Sequence, residues 1–233
     1  MKVIILAAGE GTRLHPLTLT TPKPLIDIAG KTIVERIFSS LPDEIKEVIM
    51  VVGHLKEKIQ TYLGDNFQDR KVIYAEQRER KGTFGALESA KDLIGVGERF
   101  MVLNGDDLHS KDELEKFLKT SERAFGVQKM VMPNYYSVVV EGENISGFRS
   151  QTETEKKEGT LVATGVYILD SEIFKHPGVV VFGGELGLPQ TILAQKNDFP
   201  LTAITTSNWL TINYLSDIEK VEALLSNKEV SQN

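Results

Sequence analysis

The sequence contains no cysteine. Disulfides, thiolate zinc sites, iron–sulfur clusters and a cysteine nucleophile are thereby excluded. The lack fits a reducing cytoplasm, where the chain is expected to reside. Aromatic residues are few, at 7% of the chain. Val, Ile and Leu carry most of the apolar content instead, and 41% hydrophobic residues over 233 positions suffice for a packed core. Extensive disorder is not expected. Positive charge is not in excess, with 27 Lys and Arg against 33 Asp and Glu and a formal net charge of −6. Nonspecific binding to nucleic acid needs a dense positive field, so nucleic acid is not an expected partner. No apolar run reaches the length of a bilayer span, so a membrane is not one either. The opening Met1–Ala8 briefly resembles a signal peptide, but Gly9-Glu10-Gly11 and Arg13 follow too soon. A buried strand is the better reading. The four histidines, His15, His54, His109 and His176, show no ligand spacing.

What is present is a regular alternation. Apolar runs of strand length occur at Lys2–Ala7, Glu47–Gly53, Lys71–Gln77 and Arg99–Gly105. Helix-like stretches follow them: Lys31–Leu41, Leu55–Leu63, Thr83–Ile94 and Ser110–Leu118. Ser110 with Glu113 three residues later predicts a capping box. Runs such as Val-Ile-Ile-Leu are apolar on both faces and belong in a parallel sheet covered on both sides. The first half is therefore read as a Rossmann-like α/β unit.

The second half is less regular. Ser137–Glu141 and Asn144–Arg149 read as a hairpin around Gly142, and Ser150–Gly159 as a polar loop. Leu161–Leu169 reads as a strand, and Ser171–His176 and Leu188–Gln195 as short helices. Leu201–Thr206 and Trp209–Ile212 are strand-like, and Leu215–Leu225 predicts a last amphipathic helix before a frayed polar end. One domain is expected over 1–233, in two halves at 1–125 and 126–233.

The strongest signal is Leu6-Ala7-Ala8-Gly9-Glu10-Gly11-Thr12-Arg13-Leu14, followed by Pro22-Lys23-Pro24-Leu25. A buried strand that ends in a glycine-rich turn lets backbone amides approach an anion. Arg13 and Lys23 add charge, and ligands bind at the carboxyl ends of strands in such sheets. The dinucleotide fingerprint does not apply, because its third glycine would fall at Leu14.

With these residues the chain resembles the sugar-phosphate nucleotidyltransferases. The likeness runs through Leu6–Thr18 and Pro22–Leu25, and continues in Gly30–Ile33 and Val52–Ile59. It implies a Rossmann-like three-layer fold with a mostly parallel central sheet. By that resemblance the backbone at Leu6, Ala7 and Gly9 borders the nucleoside. Gly11, Thr12 and Arg13 hold the departing β- and γ-phosphates, and Lys23 neutralises charge near the reacting centre.

Gln77 ends the third strand and offers an amide that can pair with a base edge. In the family this glutamine reads the base, with a Gly-Thr pair nearby, here Gly82 and Thr83. The fourth strand ends in Asn104-Gly105-Asp106-Asp107, and a carboxylate there is placed to hold Mg²⁺ on phosphate oxygens. The resemblance selects Asp106 as the metal ligand. Asp107 either assists it or caps the next turn. Asn213 matches the second metal position of one branch of the family, where Thr211 stands at the position another branch uses.

The acceptor side departs from the pattern. Tyr136 is followed by Ser137 rather than glycine, and Phe148-Arg149-Ser150-Gln151 lacks the Glu-Lys-Pro of relatives. The next strand reads Ala163-Thr164-Gly165 where relatives have asparagine first. Asn104, Thr164, Gly165 and Glu185 are the acceptor candidates, with Glu185 open between hydroxyl contact and a helix-terminus role. Lys156 and Lys157 are read as solvated.

The expected reaction joins a nucleoside triphosphate and a sugar 1-phosphate, giving an NDP-sugar and pyrophosphate, with Mg²⁺ as cofactor. Two readings stand beside it: a nucleotide-binding regulatory homologue without transfer, and a cytidylyltransferase for a non-sugar phosphorylated alcohol. A glycosyltransferase is weaker, because the Gly-x-Gly-Thr-Arg loop suits a triphosphate. No repeat-rich tail is present, so the β-helical acetyltransferase domain of some relatives is not expected. The base, the acceptor and the oligomeric state, a homo-oligomer included, are left open by the sequence.

Overall fold

The computed structural model describes residues 1–79 and 81–230. Ten strands form its main sheet. They are β1 (Lys2–Ala7), β2 (Glu47–Val52), β3 (Asn66–Phe67), β4 (Arg70–Glu76) and β5 (Arg99–Asn104). The second half adds β6 (Arg123–Met130), β7 (Ser137–Glu141), β8 (Asn144–Arg149), β9 (Thr160–Asp170) and β10 (Leu201–Thr205). Their order across the sheet is β7-β8-β10-β6-β9-β5-β1-β2-β4-β3. The block β5-β1-β2-β4 is parallel throughout, and β6 runs parallel to β10. β9 is antiparallel to both of its neighbours, β5 and β6. The sheet is therefore mixed around a parallel core.

The apolar runs explain this placement. Val3 and Ile5 of β1, with Val48 and Met50 of β2, feed one core, while Ile4 and Ile49 feed the other. Side chains alternate across a strand, so a strand apolar at every position must be covered on both faces. Helices α1 (Ile33–Ser40), α2 (Lys56–Leu63) and α4 (Lys111–Leu118) cover the first face with Ile37, Phe38, Ile59 and Phe117. Helices α3 (Gly82–Glu88) and α6 (Leu188–Ala194) cover the second with Phe84, Leu87 and Ile192. Each such fully buried side chain contributes roughly 1.5–3 kcal/mol.

Several expectations are corrected. Residues 150–159 are not all loop, because Glu153–Glu158 forms helix α5. Thr152 and Glu155 close a capping box on it, and Arg149 grips Glu155 with both guanidinium nitrogens. The box predicted at Ser110 does not form. Glu113 is buried and instead accepts hydrogen bonds from the amides of Ser207 and Asn208. The stretch Thr83–Ile94 is helical only to Glu88, with a short 3-10 turn at Lys91–Leu93. Ser171–Lys175 is likewise a 3-10 turn rather than an α-helix. Of Trp209–Ile212, only Leu210–Thr211 is a strand, paired with Asp107–Leu108. The last helix, α7 (Leu215–Val230), runs past Leu225. Of the last eight residues, expected to be frayed, 226–230 continue this helix, and 231–233 lie outside the described residues.

The topology positions the site. The central strand β1 is flanked by β2 on one side and β5 on the other, so the chain leaves it in opposite directions. That is a switch point, where the carboxyl ends of neighbouring strands open a crevice.

Candidate active site

A cavity of about 420 Å³ opens at this switch point. The loop after β1 lines it from Ala8 to Arg13, together with Leu6 and Ala7. Gly11 adopts a left-handed backbone with φ of 63°. A Cβ there would meet Thr18 Cγ2 at 3.0 Å, so glycine is required for the turn. Thr18 Oγ1 donates to the Gly11 carbonyl at 2.8 Å, and Leu14 N donates to the same oxygen at 2.8 Å. The amides of Gly9 and Gly11 have no partner among the described residues. His54 braces the loop, its amide donating to Ala8 O at 3.2 Å. An open loop with unengaged amides and a nearby cation suits an anionic ligand.

Lys23 enters from the Pro22–Pro24 turn. Its Nζ donates to Asp106 Oδ2 at 2.5 Å, with 14% and 28% of the two side chains exposed. Both line the cavity. Asp106 follows β5 through Gly105, whose amide donates to Leu6 O at 2.9 Å. A Cβ on Gly105 would meet that same oxygen at 2.7 Å, so the two strand ends approach only with glycine there.

Gln77 lies on the opposite wall with Gly82 and Thr83. Its Nε2 donates to Gly82 O at 3.1 Å, which leaves its Oε1 without a hydrogen bond among the described residues. Thr83 Oγ1 accepts from Leu188 N at 2.9 Å, which ties α3 to α6. Gly82 packs on Glu185 and Leu186, and Glu185 thereby reaches the same cavity. Glu185, an acceptor candidate from the sequence, thus lines the smaller cavity and not the larger one that adjoins it.

A second cavity, of about 830 Å³, adjoins the first and shares Arg13, Asn104, Asp106 and Asn213 with it. Gly165 lines it, with φ of 72°. Thr164 lines neither cavity. It is fully buried, with its carbonyl 3.0 Å from His109 Nε2, and the expected acceptor contact is not formed there. The sequence pattern located the strand but not the face its side chain takes.

Asp107 neither caps a helix nor faces the first cavity. It is buried, its Oδ1 accepting from Trp209 Nε1 and its Oδ2 from Asn104 Nδ2, both at 2.9 Å. Burial, and then the Asp106 charge, push its carboxyl up from the usual carboxylate range, against the hydrogen bonds it accepts. It anchors the 209–213 segment to the end of β5.

That segment carries Asn213. Its Nδ2 donates to Tyr135 Oη at 3.0 Å and to Thr211 Oγ1 at 2.9 Å. Both amide protons are thus committed, and Oδ1 faces Arg13 NH1 at 3.4 Å. Asp217 Oδ2 accepts from the amides of Asn213 and Tyr214, fixing the start of α7. Tyr135 is mostly buried, its phenol pushed up to about 12 by burial and then by Asp107 and Asp106, so it stays neutral. Tyr135, Trp209 and Asp217 were missed by sequence reasoning. The Pro-x-x-Tyr run at 133–136 drew notice to Tyr136 instead of Tyr135.

No group of three or more His, Asp or Glu gathers to hold a metal among the described residues. Magnesium does not need one, since it is bound by one or two carboxylates with substrate phosphates and water supplying the rest. The Asp106 carboxylate and the Asn213 Oδ1 are hard oxygen donors on one cavity wall, and they fit that sparse set. No helix of the described residues is long and apolar enough to cross a membrane.

The architecture and sequence have counterparts. Over 75% of this chain and 41% of its own length, the bifunctional protein GlmU of Methanocaldococcus jannaschii is 37% identical, so the chain spans about two fifths of that relative. The UTP–glucose-1-phosphate uridylyltransferase AglF of Haloferax volcanii is 30% identical, covering 97% of this chain and 96% of its own. Among solved structures, a UDP-glucose pyrophosphorylase complexed with UDP-glucose superposes with a TM-score of 0.80. It has 20% identity and covers 97% of this chain and 98% of its own, a likeness of fold. The nucleotidyl transferase family model matches residues 2–179, the span that holds the glycine loop, Lys23, Gln77 and Asp106, and the chain belongs to that family.

Proposed function

We propose that the chain transfers a nucleotidyl group from a nucleoside triphosphate to a sugar 1-phosphate, releasing pyrophosphate and an NDP-sugar. The observation that carries this reading is the junction of two cavities at Arg13, Asn104, Asp106 and Asn213. A triphosphate held by the glycine loop presents its α-phosphorus at that junction, where an acceptor phosphate from the second cavity meets it. In sequence terms, residues 1–125 supply most of the nucleotide side and 126–233 most of the acceptor side.

One acceptor phosphate oxygen attacks the α-phosphorus in line. The new P–O bond forms as the α–β bridging P–O bond breaks, and its electron pair leaves with pyrophosphate. A phosphate dianion is already a nucleophile at neutral pH, so no general base is required. The work of the protein is positioning and charge neutralisation. Gly11, Thr12 and Arg13 hold the leaving phosphates, the backbone at Leu6, Ala7 and Gly9 borders the nucleoside, and Lys23 offsets charge at the centre. Gln77, with its Oε1 unengaged, contacts the base. Asp106 and Asn213 would hold Mg²⁺, which withdraws charge from phosphate oxygens when bound.

The test is pyrophosphate release with Mg²⁺, scanning four nucleoside triphosphates against sugar 1-phosphates and other phosphorylated alcohols. An acceptor-dependent signal supports transfer and names both substrates. Nucleotide binding with no release under any acceptor would turn the reading to a regulatory nucleotide-binding protein.

A further inference from the structure

Two asparagine side chains border the junction of the cavities, Asn104 and Asn213. A carboxamide has an acceptor on one arm and donors on the other, so the way it is turned decides what it offers a ligand. Both are turned alike. Asn104 Nδ2 donates to Asp107 Oδ2 at 2.9 Å, and its Oδ1 has no hydrogen bond among the described residues. Asn213 Nδ2 donates to Thr211 Oγ1 at 2.9 Å and to Tyr135 Oη at 3.0 Å, and its Oδ1 faces Arg13.

One residue accounts for both orientations. Asp107 is buried in the wall of the larger cavity. An ionised carboxylate accepts hydrogen bonds and donates none, so each polar group around it turns a proton toward it. Trp209 Nε1 donates to Oδ1 and Asn104 Nδ2 to Oδ2. Thr211 pairs with Asp107 across the short ladder, and its hydroxyl donates to the same carboxylate. With that proton committed, the Thr211 oxygen can only accept, and it accepts from Asn213. A Cβ on Gly165 would lie 1.9 Å from Asp107 Oδ2 and 2.4 Å from Asn104 Nδ2, so the β9 backbone packs directly on this arrangement.

We propose that Asp107 is a positioning residue that sets the polarity of the reaction centre. It turns the amide oxygens of Asn104 and Asn213 outward to the junction, where Asn104 Oδ1 accepts from a hydroxyl of the acceptor. The inference rests on the transfer reading above. The acceptor it implies carries a free hydroxyl close to its phosphate, because Asn104 and Asp106 border the same junction.

Asp107→Asn keeps an oxygen for Trp209 and puts an amide nitrogen where the second oxygen stands. The first readout is proton exchange with water at the side-chain amides of Asn104 and Asn213, followed in the full chain by nitrogen NMR and assigned with Asn104→Asp and Asn213→Asp. The substitution is expected to speed exchange at both about tenfold or more, one hydrogen bond's worth, as their N–H groups turn outward. Thr211→Val cuts only the second branch, and is expected to speed exchange at Asn213 while Asn104 stays protected. A general loosening of the fold would speed both alike in that variant and would count against the proposal. The second readout is pyrophosphate release, with the triphosphate and sugar 1-phosphate that the scan above finds best used. Asp107→Asn is expected to raise the acceptor KM about tenfold and to lower kcat, with the triphosphate KM unchanged. Exchange unaltered by Asp107→Asn overturns the positioning role and leaves the transfer reading standing. Faster exchange with an unchanged acceptor KM overturns the contact with the acceptor hydroxyl. No release from any acceptor overturns the transfer reading and that contact with it.

Discussion

Lys23 and Asp106 lie 83 positions apart in the sequence, and Lys23 Nζ sits 2.5 Å from Asp106 Oδ2 at the meeting point of the two cavities. The pair joins the turn after the glycine loop to the end of β5. An ammonium and a carboxylate in contact keep this wall nearly neutral, and each is placed to contact phosphate or a cation bound to it.

Under the proposed mechanism, Lys23→Ala removes a cation that offsets phosphate charge and Asp106→Ala a carboxylate that would hold Mg²⁺, and each is expected to lower turnover by about two orders of magnitude or more. The fold is expected to persist in both variants, since the pair sits at a cavity wall and not in either hydrophobic core. Pyrophosphate-release kinetics alongside circular-dichroism melts check both halves of this. Near-parental turnover in either variant removes that residue from the mechanism.

Gly165 is a packing constraint on the same region. Its φ is 72°, and a Cβ there would collide with the side chains of Asp107 and Asn104. Gly165→Ala combines backbone strain with displacement of the carboxylate that anchors Trp209. A loss of about 2–4 kcal/mol is expected, measured as a lower urea midpoint at unchanged m-value. An unchanged midpoint would show that the neighbours yield freely.

Stability should depend on pH through His109. The ring is buried, and burial pushes its pKa down from 6.5 to about 4, so the folded protein holds it neutral. Between those values the unfolded chain binds a proton that the folded chain does not. Stability is therefore full above about pH 6.5 and falls until about pH 4, by about 3 kcal/mol. His109→Gln retains a donor for the Thr164 carbonyl without the titration. Its unfolding free energy is expected to vary less over that window, and an unaltered slope would assign the pH dependence elsewhere.

Arg123 is a buried cation with every face occupied. Its Nε and NH2 donate to the two oxygens of Asp170 at 2.9 Å, and NH1 donates to Gln195 Oε1 at 2.8 Å. The guanidinium lies 3.8 Å from the centroid of Phe199. Arg123→Ala leaves Asp170 without its partner, and a loss of about 3–5 kcal/mol is expected in chemical denaturation. Arg123→Lys keeps the charge but not the planar fork, and is expected to restore only part of that loss. Full restoration by lysine would mean that charge alone matters here.

The lining of the smaller cavity was largely legible in the sequence because its signals are local. The glycine loop, Gln77 and Asp106 each directly follow an apolar run, and the parallel sheet aligns those strand ends by rule. The pattern Ser/Thr-x-x-Glu shows where locality fails. It forms a capping box at Thr32 with Glu35 and at Thr152 with Glu155. At Ser110 it does not, because Glu113 is recruited by the amides of Ser207 and Asn208, which lie far along the chain. Strand β6 was not recognised because Arg123 and Gln128 dilute its apolar residues; Arg123 is paired by Asp170 of β9 and by Gln195, and Gln128 by Thr206 and Trp209 beyond β10. The partners that orient Asn213 were hidden for the same reason, since Tyr135 is 78 residues away.

The ladder between β9 and β5, from Val166 paired with Leu103 to Asp170 paired with Arg99, has a mechanical consequence. It welds the floor beneath the larger cavity to the strand that presents Asp106. The two halves of the sequence thus share one continuous plate of sheet. Opening one against the other would tear backbone hydrogen bonds through the middle of the core. Adjustment to a bound substrate is left to the rim, where the glycine loop and the residue 131–136 turn stand above the plate. The strand ends that border the two cavities are accordingly set in place by the sheet itself.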